Sequence, residues 1–150
     1  MGRNLWLAVF VGFVFLVSAC GGRSGKVIQK GEISREIDQK MVEGDYVQSM
    51  GIGAADQSID NKTQRMATSR NAAIVMAQYE MLSFIKGLKL EGGITVEKAI
   101  ETDSVIATKI DAEIKGSEIT KTSWTNDDGC IVNMRLPKKR LKAMGLKLVE

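Results

Sequence analysis

The chain has 150 residues, 44% of them apolar and 26% charged, with a formal net charge of +3. That length suits one domain with a real core, and the composition excludes both a disordered chain and a polytopic membrane protein. The charge is too weak for the field of a nucleic-acid binder, and the absence of histidine removes the commonest general base and metal ligand.

Arg3 is the only charged side chain before Cys20. Behind it, LWLAVFVGFVFLVSA is an apolar run that narrows to small residues at Ser18 and Ala19. A positive start, an apolar middle and a small-residue end form the layout of an export signal. The alternative is an uncleaved anchor, which needs about 20 apolar residues and is usually followed by a positive cluster. A plain secretory signal is a further alternative.

Val17, Ser18, Ala19 and Cys20 resemble the lipobox of bacterial lipoproteins. Small residues let an extended backbone enter a peptidase cleft, and the Cys20 sulfur is a side chain that can become a thioether. The resemblance implies diacylglycerol on Cys20, cleavage between Ala19 and Cys20, and often a third acyl chain on the new amino group. Each buried methylene contributes about 0.8 kcal/mol and one myristoyl chain binds only reversibly, so two or three chains hold permanently. Gly21 and Gly22 follow the cysteine, without the aspartate that marks inner-membrane retention in enteric bacteria, so the same resemblance favours the outer membrane. With Cys20 acylated, a disulfide to Cys130 is not expected. The chain has no CxxC or CxxH spacing, and we expect no metal and no cofactor.

Residues 21–26, GGRSGK, read as a flexible tether. The following stretch spaces Ile33, Ile37 and Met41 as a short amphipathic helix or an ordered lead-in. YVQSMGIGAA alternates as a strand, with Gly51 and Gly53 on one face to admit a neighbouring backbone. The competing reading is a phosphate loop, but GxG is followed by Asp56 where a third glycine would stand.

Asp60 or Asn61 caps a long helix from Lys62 to about Lys86, whose apolar stripe is Met66, Ala73, Ala77, Met81, Phe84 and Leu88. Small Ala72, Ala73 and Ala77 would let it sit close on a sheet, and Gly87 with Gly92 and Gly93 ends it. ITVEKAIE alternates and is expected as a second strand. Thr102 or Asp103 caps a shorter helix carrying Ile106, Ile110 and Ile114, closed by Gly116.

EITKTSWTNDDGCIVNMRL is expected as a hairpin turning at Asn126–Gly129, with Cys130, Val132, Met134 and Leu136 on its core face. Turn chemistry accounts for Asp127 and Asp128. Pro137 starts a last basic helix, whose Lys138, Lys139, Arg140, Lys142 and Lys147 read as a solvated face or as a lipid-headgroup patch.

From YVQSMGIGAAD through the alanine-spaced helix, DSVIATKIDAEIKG and KTSWTNDDGCIVNMRL, the chain resembles the Lpp-twenty family of bacterial lipoproteins, which includes FlgP-type flagellar members. The resemblance covers about residues 46–144. It implies an α+β domain: a small sheet with a C-terminal β-hairpin, one long helix across one face, and a shorter second helix. It implies an outer-membrane lipoprotein, in some members a ring or disk subunit around the flagellar motor, and no enzymatic activity. The expected organisation is a signal peptide over 1–19, lipidated Cys20 with its tether over 20–31, and the domain over 32–150.

The leading expectation is thus a lipid-anchored structural or assembly protein, joined to the membrane through Cys20 and to copies of itself. A periplasmic module binding a ligand or peptidoglycan, with Trp124 and Tyr46 as its aromatic contacts, is the alternative. A hydrolase would need a GxSxG, SxxK or paired-carboxylate arrangement, and none stands out.

Overall fold

Two runs of alternating side chains around an Asp-Gly turn supply the centre of a sheet, and the remaining strands add to its sides. The computed structural model describes residues 26–27 and 41–149. In chain order the elements are β1 (Lys26–Val27), β2 (Val42–Glu43), β3 (Tyr46–Gly53), α1 (Lys62–Gly87), α2 (Val96–Thr102), α3 (Ser104–Lys115), β4 (Glu118–Trp124), β5 (Cys130–Pro137) and α4 (Lys138–Ala143). The strand order is β1-β4-β5-β3-β2. β2, β3, β5 and β4 pair antiparallel, and β1 lies parallel to β4 at the other edge. The sheet therefore has a hairpin end, at Gly53, Trp124 and Cys130, and an opposite end, at Tyr46, Glu118 and Pro137.

One face of the sheet presents Val47, Ser49, Gly51 and Gly53 from β3 with Cys130, Val132, Met134 and Leu136 from β5, all buried. Helix α1 lies on that face. A β-carbon on Gly51 would stand 1.9 Å from the Ala73 carbonyl oxygen and 2.4 Å from the Ala77 nitrogen. One on Gly53 would stand 1.9 Å from the Ser69 carbonyl oxygen. The two backbones meet because neither glycine has a side chain, which is the reading of close packing. The order of these contacts also makes α1 antiparallel to β3.

The side of α1 facing the sheet is Ser69, Ala73, Ala77, Met81 and Ile85, all buried. Each buried apolar side chain of leucine size stabilises the fold by about 1.5–3 kcal/mol. Ala73, Ala77 and Met81 of the expected stripe are fully buried and Phe84 and Leu88 pack half-buried against the core, but Met66 is only half-buried and Ala72 is exposed. The i, i+4 row at 69, 73, 77, 81 and 85 runs nearly along the axis, so it takes Ser69 and Ile85 where the apolar count favoured Met66 and Phe84. Asn61 is the N-cap, accepting a 3.1 Å hydrogen bond from Gln64 N on its side chain.

The expected strand at ITVEKAIE is instead helix α2. Thr95 caps it, accepting from Lys98 N at 3.3 Å, and Val96 and Ala99 are its buried residues. Alternation of Ile94, Val96 and Ile100 fits a strand, but burial at 96 and 99 follows the helical period. Only Thr95 retains strand-like pairing, as an isolated bridge to Lys89. Asp103 caps α3, which buries Ile110 and Ile114 and stops at Gly116. α4 begins after Pro137, as its position predicts, and buries Leu141. Besides the long helix, the described residues hold three shorter ones, where the resemblance implied one; the residue pattern anticipated α3 and α4, and α2 is the addition. Among the described residues no helix is long and apolar enough to cross a membrane.

Lys26 and Val27, inside the stretch expected as tether, pair with Ser123 and Trp124. Ile33 and Ile37 lie outside the described residues, as do Ala19 and Cys20.

Candidate functional site

Three surface features carry chemistry, and they sit at different places on the fold. At the hairpin end, the turn is tied to the start of α1. Asp128 takes a left-handed conformation, φ 65°, which short polar residues tolerate better than others. Its carboxylate accepts hydrogen bonds from Arg65 Nε at 3.1 Å and Nη2 at 2.8 Å, and Lys62 Nζ is 3.6 Å away. Its carbonyl oxygen accepts from Ser69 Oγ at 2.7 Å, and that of Asp127 accepts from Gln57 Nε2 at 2.7 Å. The Thr125 hydroxyl donates to the Asp127 carboxylate and holds it below the usual range. Turn formation is thus only part of the role of Asp128. It also latches the hairpin to the helix, a role its sequence position next to Gly129 did not disclose.

At the opposite end, a cleft of about 350 Å³ is lined by Asp45, Tyr46, Pro137, Lys138, Lys139 and Lys142. Antiparallel pairing of Tyr46 with Pro137 forms its floor, and Lys138 N donates to Asp45 O at 2.8 Å. The neighbouring cations are committed elsewhere. Arg140 pairs with Glu113 and donates to Gly116 O at 3.0 Å, while Arg135 pairs with Glu118 at 2.9 Å and stands 4.8 Å over the Tyr46 ring. Lys147 lies 3.7 Å from Glu91. Lys138 and Lys139 have no ion pair among the described residues, so their charge faces the cleft mouth and solvent. Such a cleft suits anions.

The third feature is apolar. Ala72, Val75, Met76 and Tyr79 follow one another at helical spacing on α1, away from the buried row. Val75 is 64% exposed, Met76 45% and Tyr79 65%. Clustered exposure of this kind marks an interaction surface more often than scattered exposure does.

The aromatic residues of the alternative reading are both engaged within the fold. Trp124 packs against the core, and Tyr46 lies half-buried beneath Arg135. Cys130 is a free, fully buried thiol, and desolvation pushes its pKa from 9.0 up to about 11 against the pull of Arg70. It is a packing residue. Among the described residues no group of three histidine, cysteine or acidic side chains could hold a metal ion. Gly51 and Gly53 face the α1 backbone and leave no room for a phosphate.

Comparison with family models, with curated proteins and with solved structures finds no match to this chain.

Proposed function

We propose that this chain is a lipid-anchored lipoprotein of the outer membrane with a structural or assembly role, a ring or disk associated with the flagellar motor being one form it takes. The observation that carries the reading is the order of residues before Cys20: an apolar run, then Val17, Ser18 and Ala19. Permanent attachment follows from the acyl chains alone, so the folded domain needs no membrane-spanning element of its own. The assembly role draws support from the exposed apolar stripe on α1, which offers a face to a second copy. No catalytic step is part of the reading.

Cys20→Ser tests it. In cells fed a labelled fatty acid, the parent protein and Cys130→Ser are expected to incorporate label and to be processed to the shorter form. Cys20→Ser is expected to do neither. Normal labelling of Cys20→Ser would remove the anchoring claim.

A further inference from the structure

The two ends of the sheet differ in free charge, and the position of β1 limits how far the anchor can reach. Lys26 lies beside Ser123 and Val27 beside Trp124, in parallel register. A strand parallel to β4 runs toward the hairpin, so the backbone enters Lys26 from the side of Glu118 and Pro137. From the level of Ser123 to that of Glu118 is about 17 Å at the usual rise of a strand. The six peptide units between Cys20 and Lys26 span at most about 20 Å. The tether is therefore long enough for the Pro137 end to reach the bilayer, and it keeps the domain close to the headgroups.

That end is basic. Lys138 and Lys139 are free of ion pairs among the described residues, Lys142 lines the same cleft, and Asp45 is the acidic member of the lining. Helix α1, at 26 residues, is about 39 Å long against about 26 Å for β3. Because it runs antiparallel to β3, its C-terminal turn with Lys86 lies at this end, and Lys89 follows just beyond it. Beside Lys89 stand two exposed apolar side chains, Ile94 at 49% and Val149 at 58%, with Val149 N bonded to Lys89 O. Lysines around exposed apolar groups suit the boundary between headgroups and acyl chains. At the hairpin end the charges compensate: Asp56, Asp60, Asp127 and Asp128 stand with Arg70, Lys62 and Arg65, the last two committed to Asp128.

Resting on the anchoring reading above, we propose that the Pro137 end of the sheet lies on an anionic phospholipid surface, with Lys138 and Lys139 against the phosphate headgroups and the charge-compensated hairpin end pointing away. The acyl chains hold the protein at the membrane, and the lysines fix which way up it stands. A lysine at an anionic surface strengthens association about fivefold, enough for a pair to set an orientation that a glycine-rich tether leaves open.

The full acylated chain, reconstituted in vesicles of phosphatidylcholine with or without phosphatidylglycerol, would be treated with an amine-reactive reagent and its lysines read by mass spectrometry. Lys138 and Lys139 are expected to label several-fold less on the anionic vesicles than on the neutral ones, with Lys62 unchanged. High salt should abolish the difference. In Lys138→Gln/Lys139→Gln the protection of Lys142 on anionic vesicles should be lost. The intact mass of the same preparation reads acylation at Cys20 separately: an unacylated mass overturns the anchoring reading, and this inference falls with it. Acylated protein with equal labelling on both vesicles, or with protection at Lys62 instead, overturns the orientation alone. Protection that depends on protein concentration and not on lipid charge would assign the surface to a second copy of the chain, and would equally overturn it.

Discussion

At Gly53 a single methyl group decides whether α1 can lie on β3. The Ser69 carbonyl oxygen would be 1.9 Å from an added β-carbon, and the Ala73 nitrogen 2.7 Å. These are backbone atoms, so relief requires moving the helix. Gly53→Ala is expected to destabilise by about 1–3 kcal/mol or more, lowering Tm by roughly 5–15 °C. Addition of nucleotide should shift the melt of neither parent nor variant. A shift in the parent that the variant loses would restore the phosphate-loop reading. Cys130 gives a second residue-scale test. Its thiol is held protonated up to about 11, whereas in the unfolded chain it ionises near its ordinary 9.0. Above that lower value the unfolded state releases a proton that the native state keeps, so stability is full below about pH 9 and falls as the pH rises toward about 11. Denaturant unfolding at pH 8 and pH 10.5 should show this loss in the parent and a smaller one in Cys130→Ala. Equal losses in both would mean that the buried thiol does not govern the window.

At the scale of elements, α1 divides into a row that cannot accept charge and a row that can. Ala77 is fully buried against the β3 backbone, so Ala77→Asp places an unpaired carboxylate where no water reaches. The cost is about 3–5 kcal/mol, of the order seen for an uncompensated buried charge, and the domain is expected not to fold. Ala72→Asp, five positions earlier on the exposed side, should change stability by less than about 0.5 kcal/mol. Circular dichroism melts of the pair check both; matching melts would mean that the helix presents another face. The contrast shows what was legible in the sequence. The length of α1, its Asn61 cap, the hairpin and the core face of β5 were readable because each is signalled locally, by a cap, a turn or a period. The assignment of Ala72 failed because three alanines close together do not reveal which way the helix is rotated. α2 failed because Ile94, Val96 and Ile100 satisfy two periods at once, and the Thr95 cap that decides between them is a single hydroxyl. The Asp128 latch was invisible for another reason. Its partners Arg65 and Ser69 lie about sixty residues away, and only the fold brings them within 2.8 Å and 2.7 Å. The cleft is a similar case, since Asp45 and Tyr46 meet Lys138 only through the β3–β5 pairing.

For the whole molecule, the proposed role asks whether copies of the domain can join while each stands on an anchor of its own. The row Ala72, Val75, Met76 and Tyr79 lies on the side of α1 turned away from the sheet, and apart from the Tyr79 hydroxyl it is apolar. A stripe that contacts its own counterpart closes a two-fold dimer and goes no further. A ring or disk needs a second, different surface. β3 offers one: β2 and Met41 engage it at Tyr46, Val47 and Gln48, and beyond them Ile52 stands 45% exposed on an edge with no further strand paired among the described residues. In the assembly proposed above, the helix stripe and the strand edge would be the two unlike contacts that a repeated arrangement requires. The full chain extracted from membranes is expected to give a mass of several copies by light scattering. Val75→Glu/Tyr79→Glu, both at exposed positions, should keep the parent's Tm while falling to fewer copies, because the added charges repel across the contact without entering the core. A parent that stays a single chain at every concentration would remove the assembly role and leave the anchor untouched. A variant that keeps the parent's mass would move the contact off α1 and onto the β3 edge, where an Ile52→Lys change is the next point to press.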